Sequence, residues 1–195
     1  MKETNSRDKL MDAASILFRK QGYNATSLSQ ITEKSNSPRG SVYYYFPGGK
    51  EQLAKEAIKE TGERIKNYIK ETLSQHQSPA LGINEYIKRI AERLEQTDER
   101  TTISLVAMSS EVWSTNETLR QICEDVYNEW EEVYVQSLVD SGYEKEEAKR
   151  LGTAIQSLIE GAYTLSLTKR NTQPLYIAGE TVLKLLSDHE KYHKK

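Results

Sequence analysis

A single cysteine, Cys123, stands among 195 residues, which excludes an internal disulfide framework and any zinc or iron–sulfur centre built on cysteines, and points to a reducing compartment. No stretch approaches the ~18 apolar residues of a membrane span. The charged opening segment, MKETNSRDKLMDAASILFRK, holds no apolar run of signal-peptide length. The expectation is a soluble cytoplasmic chain without membrane contact. Gly-rich phosphate loops of the Walker or Rossmann pattern are missing, and no cofactor is expected. Also missing is any segment of four or more residues alternating convincingly at period two, which leaves an all-α fold. What remains is polar for a compact globule, with a mean hydropathy of −0.73, yet too rich in Leu, Ile and Val for a disordered chain. A chain of this size buries roughly 70% of its unfolded surface, enough for a substantial core.

Charge is distributed unevenly. Residues 1–50 hold eight Lys or Arg against four acids, whereas residues 51–195 hold nineteen against twenty-five. Such a split suggests a small N-terminal unit drawn to a polyanion and a larger body that is not. Chance asymmetry explains it equally well until the motifs are read.

Leu10, Ala13, Ala14, Leu17 and Phe18 recur at helical spacing, and Gly22 sits where a left-handed residue ends a helix. Ser27 and Gln30 make an S-x-x-Q capping box for a short second helix with Leu28 and Ile31 inward. After a turn through Asn36, Ser37 is the expected cap of a third helix with Pro38 at its first position, running to Phe46 and stopped by Pro47-Gly48-Gly49. A strut of ~25 residues, about 37 Å long, follows from Lys50 to near Gln75 with Leu53, Ala57, Ile65, Tyr68, Ile69 and Leu73 inward. Further helices are expected over 79–96, 101–114, 117–140, 145–169 and 174–192. The segment AIQSLIEGAYTLSL (154–167) is apolar on more than one face, and the last helix carries Leu175, Ala178, Val182, Leu185 and Leu186. With Gly152 and Gly161 permitting close approach, these two helices either build half of a four-helix bundle with a second copy or complete the monomer core.

The first 50 residues thus have the helix-turn-helix layout that sets a third helix into a DNA major groove. With Val42 and Phe46 inward, its outward face shows Arg39, Ser41, Tyr43 and Tyr44, and Gly40 lets backbone approach closely. Arg supplies a fork for guanine or phosphate, and Ser and Tyr hydroxyls donate to phosphate oxygens. Thr26 and Ser27 lie at a helix N-terminus, and Lys50 is a further phosphate clamp. An aromatic stripe in a core is the other reading of Tyr43 to Tyr45, but three consecutive residues cannot share one helical face.

Residues 7–58, above all TSLSQITEKSNSPRGSVYYYFPGGKEQLAKEAI, resemble the DNA-binding domain of TetR-family transcriptional regulators. Thr26 and Ile31 precede the turn, Gly40, Tyr43 and Phe46 follow the family's G-x-x-Y-x-x-F, and Lys50, Glu51 and Leu53 its K-E-x-L. Thr32 and Ser35 replace the usual small Ala, Ser37 replaces a usual Val, and Pro47-Gly48-Gly49 is one residue longer than common. The form PRGS-x-Y-x-x-FPGGKEQL, with IEGAYTLSLTKRNTQPL further on, is similar to the LmrA/YxaF-type branch, whose members include regulators released by flavonoid-like aromatics. The resemblance implies a homodimer paired through the last two helices, 145–169 and 174–190. It implies a DNA-binding domain at 1–49 and a ligand-binding and dimerisation domain at 50–195. It also implies base reading by Arg39, Gly40 and Ser41, and phosphate contacts from Thr26, Ser27, Tyr43, Tyr44 and Lys50. The two third helices must then stand about 34–36 Å apart to meet successive grooves of an operator.

For a small-molecule inducer the body offers Tyr86, Met108, Val112, Trp113, Val126, Trp130, Tyr134, Leu158 and Ala162, all apolar or aromatic, as ligand sites are; ordinary core packing is the other reading. His189-Glu190-Lys191-Tyr192-His193 spells the H-E-x-x-H of a zinc hydrolase, but His76 is the only other histidine, and neither a metal site nor an enzyme is expected. The expected function is a repressor released from DNA by an apolar aromatic ligand. Control by a protein partner and a metal-dependent hydrolase are the alternatives.

Overall fold

A computed structural model of the chain describes residues 6–96 and 105–193, the last six by their backbone alone. Among the described residues there are helices and no strand: α1 Ser6–Gln21, α2 Leu28–Lys34, α3 Arg39–Tyr45, α4 Gly49–Ser74, α5 Pro79–Gln96, α6 Leu105–Val112, α7 Glu117–Asp140, α8 Lys145–Lys169 and α9 Gln173–His193. No helix among them is long and apolar enough to cross a membrane. The chain forms two compact units, Met1–Glu63 with Arg100–Val126 and Arg64–Glu99 with Tyr127–Lys195. Both α4 and α7 run unbroken from one unit into the other. The first unit therefore takes in the opening turns of α4 and all of α6 as well as the three short helices.

In the first unit, α1 buries Leu10, Met11, Ala13, Ala14 and Phe18, as its spacing requires, while Leu17 is half-buried. Gly22 follows at φ +86°, a conformation that suits a residue without Cβ, and its N–H donates to the Phe18 carbonyl at 3.0 Å. The capping box is complete: Ser27 Oγ accepts from Gln30 N at 3.3 Å, and Gln30 Oε1 accepts from Ser27 N at 2.8 Å. One local expectation fails. Pro38, not Ser37, occupies the cap of α3, and the Ser37 hydroxyl turns back to the Ser35 carbonyl at 3.3 Å. The preceding αL residue Asn36 (φ +50°) ends the α2 turn and leaves Ser37 facing α2 instead of the first N–H groups of α3.

Val42 and Phe46 are fully buried beside Ile31, Leu53, Ala54, Ala57 and Ile58, which are buried too. Arg7 lies over the Phe46 ring, 5.3 Å from its centroid, and pairs with Glu56 of α4. Glu56 also accepts from Gln52 Nε2 at 2.9 Å, and Gln52 Oε1 accepts from Gly48 N at 3.0 Å. This chain of contacts ties α1, the end of α3 and the first turns of α4 together.

In the second unit α9 packs on α5 and α8. Its stripe of Leu175, Ala178, Val182 and Leu186 is buried, facing a set that includes Ile83, Tyr86, Ile87 and Ala91 of α5. Gly152 does bring two helices close, but within the chain: a Cβ there would meet Val135 Cγ2 of α7 at 2.7 Å. Gly161 meets nothing within 4 Å. The outer faces of α8 and α9 leave Leu165, Ile177 and Leu185 exposed at 48%, 53% and 43%.

Candidate functional site

The exposed face of α3 gathers four of the eight expected DNA contacts. Arg39, Gly40, Tyr43 and Tyr44 are all exposed, at i, i+1, i+4 and i+5 around one side of the helix, while Val42 is fully buried on the other. Tyr44 is 78% exposed yet held in place, its ring meeting the edge of half-buried Tyr45 at 4.8 Å in a T-shaped pair. No atom lies within 4 Å of where a Gly40 Cβ would stand, so a duplex backbone has clear approach there. Ser41 is half-buried.

Three expected contacts are placed differently from the sequence reading. Thr26 is buried, its hydroxyl donating to the Gly22 carbonyl at 2.7 Å, so it braces the loop after α1 and does not present a donor outward. Ser27 is exposed, but its hydroxyl is engaged as the cap of α2. Lys50 is folded back: Nζ donates to the Tyr23 carbonyl at 3.0 Å and lies 4.2 Å from the Tyr23 ring centroid. Burial lowers the Lys50 pKa, against the pull of the nearby Glu111 carboxylate, and burial with the charge of Glu51 raises the Tyr23 phenol. The lysine keeps two N–H donors beyond the one spent on Tyr23.

Substitution at position 27 separates capping from phosphate contact. Ser27→Ala is expected to cost about 1 kcal/mol of stability through loss of the cap. Ser27→Asp keeps a good cap and retains stability, and under the expectation that position 27 meets a phosphate its carboxylate weakens binding to every duplex. Thermal denaturation and duplex titration of the two variants check this.

Two residues of the first unit join the head from far along the chain: Asn116 was legible as a helix boundary, but neither its contact with α4 nor that of Glu111 with the loop after α1 has a local sequence signal. Glu111 of α6 accepts from Asn24 N at 2.9 Å, and its carboxylate fills the space beside Gly22. Asn116 caps α7 through its Oδ1, which accepts from Leu119 N at 2.9 Å, and its amide donates to Glu51 Oε2 at 2.7 Å. The last turn of α6 is thereby pinned to the loop after α1, and the segment joining α6 to α7 to the start of α4.

The expected ligand residues divide between the units. In the first, Met108, Val112 and Val126 are buried, whereas Trp113 is 69% exposed and is not drawn into that core. Trp113 follows the last residue of α6, beyond the turns whose inward positions are taken by Leu105, Met108 and Val112. In the second, Tyr86, Trp130, Tyr134 and Ala162 are buried and Leu158 is half-buried. Tyr86 and Tyr134 have ring centroids 6.5 Å apart in a tilted pair, and the Tyr68 ring lies 6.0 Å from that of Tyr86. Burial raises both phenols well above their ordinary value, and the Glu160 carboxylate nearby adds to it. Glu160 itself was not anticipated as a site residue. It accepts from Gln156 Nε2 at 2.8 Å, and burial pushes its carboxyl up to about 7 against the pull of that amide and of the nearby Tyr127 phenol. A separate open groove of about 290 Å³ near the start of α5 is lined by polar groups including Lys70, His76, Gln136 and Asp140, and by none of the expected ligand residues. The side chains of His189 and His193 lie outside the described residues, and no group of three or more His, Cys, Asp or Glu suited to a metal gathers among those described.

Known proteins share this arrangement. Residues 10–57 match the family described as bacterial regulatory proteins, tetR family, and residues 79–181 match the C-terminal domain of LmrA/YxaF-like transcriptional regulators. The HTH-type transcriptional regulator YxaF of Bacillus subtilis is 39% identical over 178 residues, which cover 91% of this chain and 93% of that protein. HTH-type transcriptional regulator LmrA of the same organism is 39% identical over 171 residues, covering 88% of this chain and 91% of that one. A crystal structure of a TetR transcriptional regulator from Legionella pneumophila superposes with a TM-score of 0.80 at 21% identity, covering 95% of this chain and 99% of the other.

Proposed function

The chain belongs to the TetR family of bacterial regulatory proteins, in its LmrA/YxaF-like branch, and from that premise we propose that this DNA-binding transcriptional regulator, which is not an enzyme, acts as a homodimeric repressor released by a flat aromatic ligand. The observation that carries the DNA-binding reading is the face of α3: Arg39, Gly40, Tyr43 and Tyr44 outward, Val42 and Phe46 fully buried beneath. In this reading residues 1–49 engage the operator and residues 50–195 bind the ligand and the second subunit in the cytoplasm. Arg39 reads a base edge with its fork. Ser41 and the backbone at Gly40 complete the base contact, and Tyr43, Tyr44, Ser27 and Lys50 meet phosphates. Thr26 supports them by holding the loop.

Release follows from the pins on the last turn of α6 and on the segment joining it to α7. A ligand favouring one position of this stretch shifts the Gly22–Asn24 loop and Glu51 through Glu111 and Asn116, and it moves the equilibrium only by its differential affinity for the two states.

Selecting bound duplexes from a random pool, with and without flat phenols of flavonoid type, tests the whole reading: recovery of a two-fold symmetric sequence lost on adding the phenol is expected, and indifference to every duplex at low salt overturns it. On the selected duplex, Arg39→Ala is expected to relax sequence preference by about 1 to 3 kcal/mol. Lys50→Ala weakens all sequences alike and lowers the salt slope by about 1. Identical behaviour of the two variants on specific and random duplexes contradicts these roles.

A further inference from the structure

One peptide group of the first unit lies between two opposite charges that come from far apart in the chain. Lys50, in the first turn of α4, donates from Nζ to the Tyr23 carbonyl at 3.0 Å and stands 4.2 Å from the Tyr23 ring centroid. Glu111, in the last turn of α6, accepts from Asn24 N at 2.9 Å. Tyr23 C=O and Asn24 N–H belong to the same peptide group, and across a trans peptide they point in opposite directions. The ammonium therefore sits at the negative end of this dipole and the carboxylate at its positive end, each through a charge-assisted hydrogen bond. Each bond polarises the group in the sense that strengthens the other. Among the described residues neither Lys50 nor Glu111 takes part in a direct ion pair, so the peptide is the bonded link between them. Glu51, the other carboxylate acting on Tyr23, is engaged by the Asn116 amide at 2.7 Å.

The Glu111 carboxylate also rests on Gly22, where a Cβ would collide with it, and Gly22 holds φ +86°. The loop closes without Glu111: Gly22 N–H donates to the Phe18 carbonyl, Thr26 N–H to the Tyr23 carbonyl at 3.2 Å, and the Thr26 hydroxyl to the Gly22 carbonyl. What Glu111 adds is the orientation and polarisation of the 23–24 peptide. We propose that Glu111 is a positioning residue for DNA binding: from α6 it fixes this peptide, whose carbonyl in turn holds the Lys50 ammonium with its two remaining N–H groups ready for a phosphate. The proposal deepens the phosphate role given to Lys50 above and rests on it. A lysine must give up rotamer freedom on meeting a phosphate, and one already tethered has given up part of it before the duplex arrives. Loss of the carboxylate releases the lysine although it also removes a negative charge from the neighbourhood of the phosphates. Repulsion across solvent is screened by salt, whereas the tether is a contact, so the tether prevails.

Fluorescence anisotropy with the full chain, on the selected duplex and on random duplex from about 50 to 200 mM salt, tests this by a double-mutant cycle. Lys50→Ala sets the reference, weakening every duplex and lowering the salt slope by about 1. Glu111→Ala is expected to weaken both duplexes at least about fivefold with Lys50 present and less than about twofold in the Lys50→Ala background. Glu111→Gln, which keeps an oxygen for the Asn24 N–H, is expected to recover part of the loss. Thermal melting establishes that each variant is folded. Should Glu111→Ala not fold, the cycle is run with Glu111→Gln, where a loss that disappears without Lys50 supports the proposal and any other pattern overturns it. Unchanged affinity, or a loss of equal size with and without Lys50, overturns the positioning role and leaves the phosphate role of Lys50 standing, because a purely structural residue does not depend on the lysine. Tighter binding by Glu111→Ala overturns it too, since the carboxylate then only repels phosphate. If Lys50→Ala itself changes neither affinity nor slope, the phosphate role fails and the positioning role with it.

Discussion

Phe46→Ala is expected to remove about 3 to 5 kcal/mol of stability and to abolish duplex binding, because the ring is the inward end of the helix proposed to read DNA. The side chain has no exposed surface, its N–H closes α3 on the Val42 carbonyl at 2.6 Å, and Arg7 covers its ring while pairing with Glu56. Helices α2 and α3 have seven residues each, far short of the ~12–15 at which an isolated helix becomes even marginal in water, so packing alone holds them. Typical whole-domain stability is only about 5–15 kcal/mol, and a loss confined to this unit opens it locally while α5, α8 and α9 keep their own contacts. Hydrogen exchange is expected to accelerate at the amides of α2 and α3 far more than in α9, and urea titration is expected to show an early transition. A loss under about 1 kcal/mol would show that α3 is anchored by something other than this ring.

Leu185→Glu, alone or with Ile177→Glu, is expected to turn a dimer into a monomer and to lower affinity for a two-fold symmetric duplex by about 10² to 10⁴. Both side chains project from α9 with about half their surface exposed, while Leu175, Ala178, Val182 and Leu186 on the same helix are buried against the chain's own core. The outer face has no role in the fold of one subunit, and Leu165 on α8 is exposed as well. A carboxylate placed in a paired apolar interface loses its hydration without gaining a partner, which is costly, whereas on a monomer surface it costs almost nothing. Binding to a half-site is expected to survive, because the head is untouched. Sedimentation equilibrium and fluorescence anisotropy on full and half-site duplexes separate the outcomes: a variant that remains dimeric, or that loses half-site binding equally, contradicts pairing through this face.

How much was legible beforehand depended on the range of the interaction. The capping box at Ser27 and Gln30, the left-handed Gly22 and the ends of α5, α7 and α8 depend on residues within a turn or two, and spacing together with capping and helix-breaking residue types located them. Ser37 failed at the same range, because the αL residue before it turned its hydroxyl back to α2, a backbone detail that composition does not specify. Gly152 was recognised as a site of close approach, but its neighbour, Val135 of its own chain, was not.

The amino-acid order by itself determined an all-helical chain with a basic three-helix head, an outward face on the third helix and apolar stripes on the last two, since periodicity and capping are local properties of the chain. Only tertiary structure decided that Thr26 turns inward, that Lys50 folds over Tyr23, that Trp113 stays outside, and that Glu111 and Asn116 matter. Each of these depends on a partner distant in sequence or on a competition for one hydrogen bond. Such choices are made by the packing of whole helices, whose free energy no window of neighbouring residues contains.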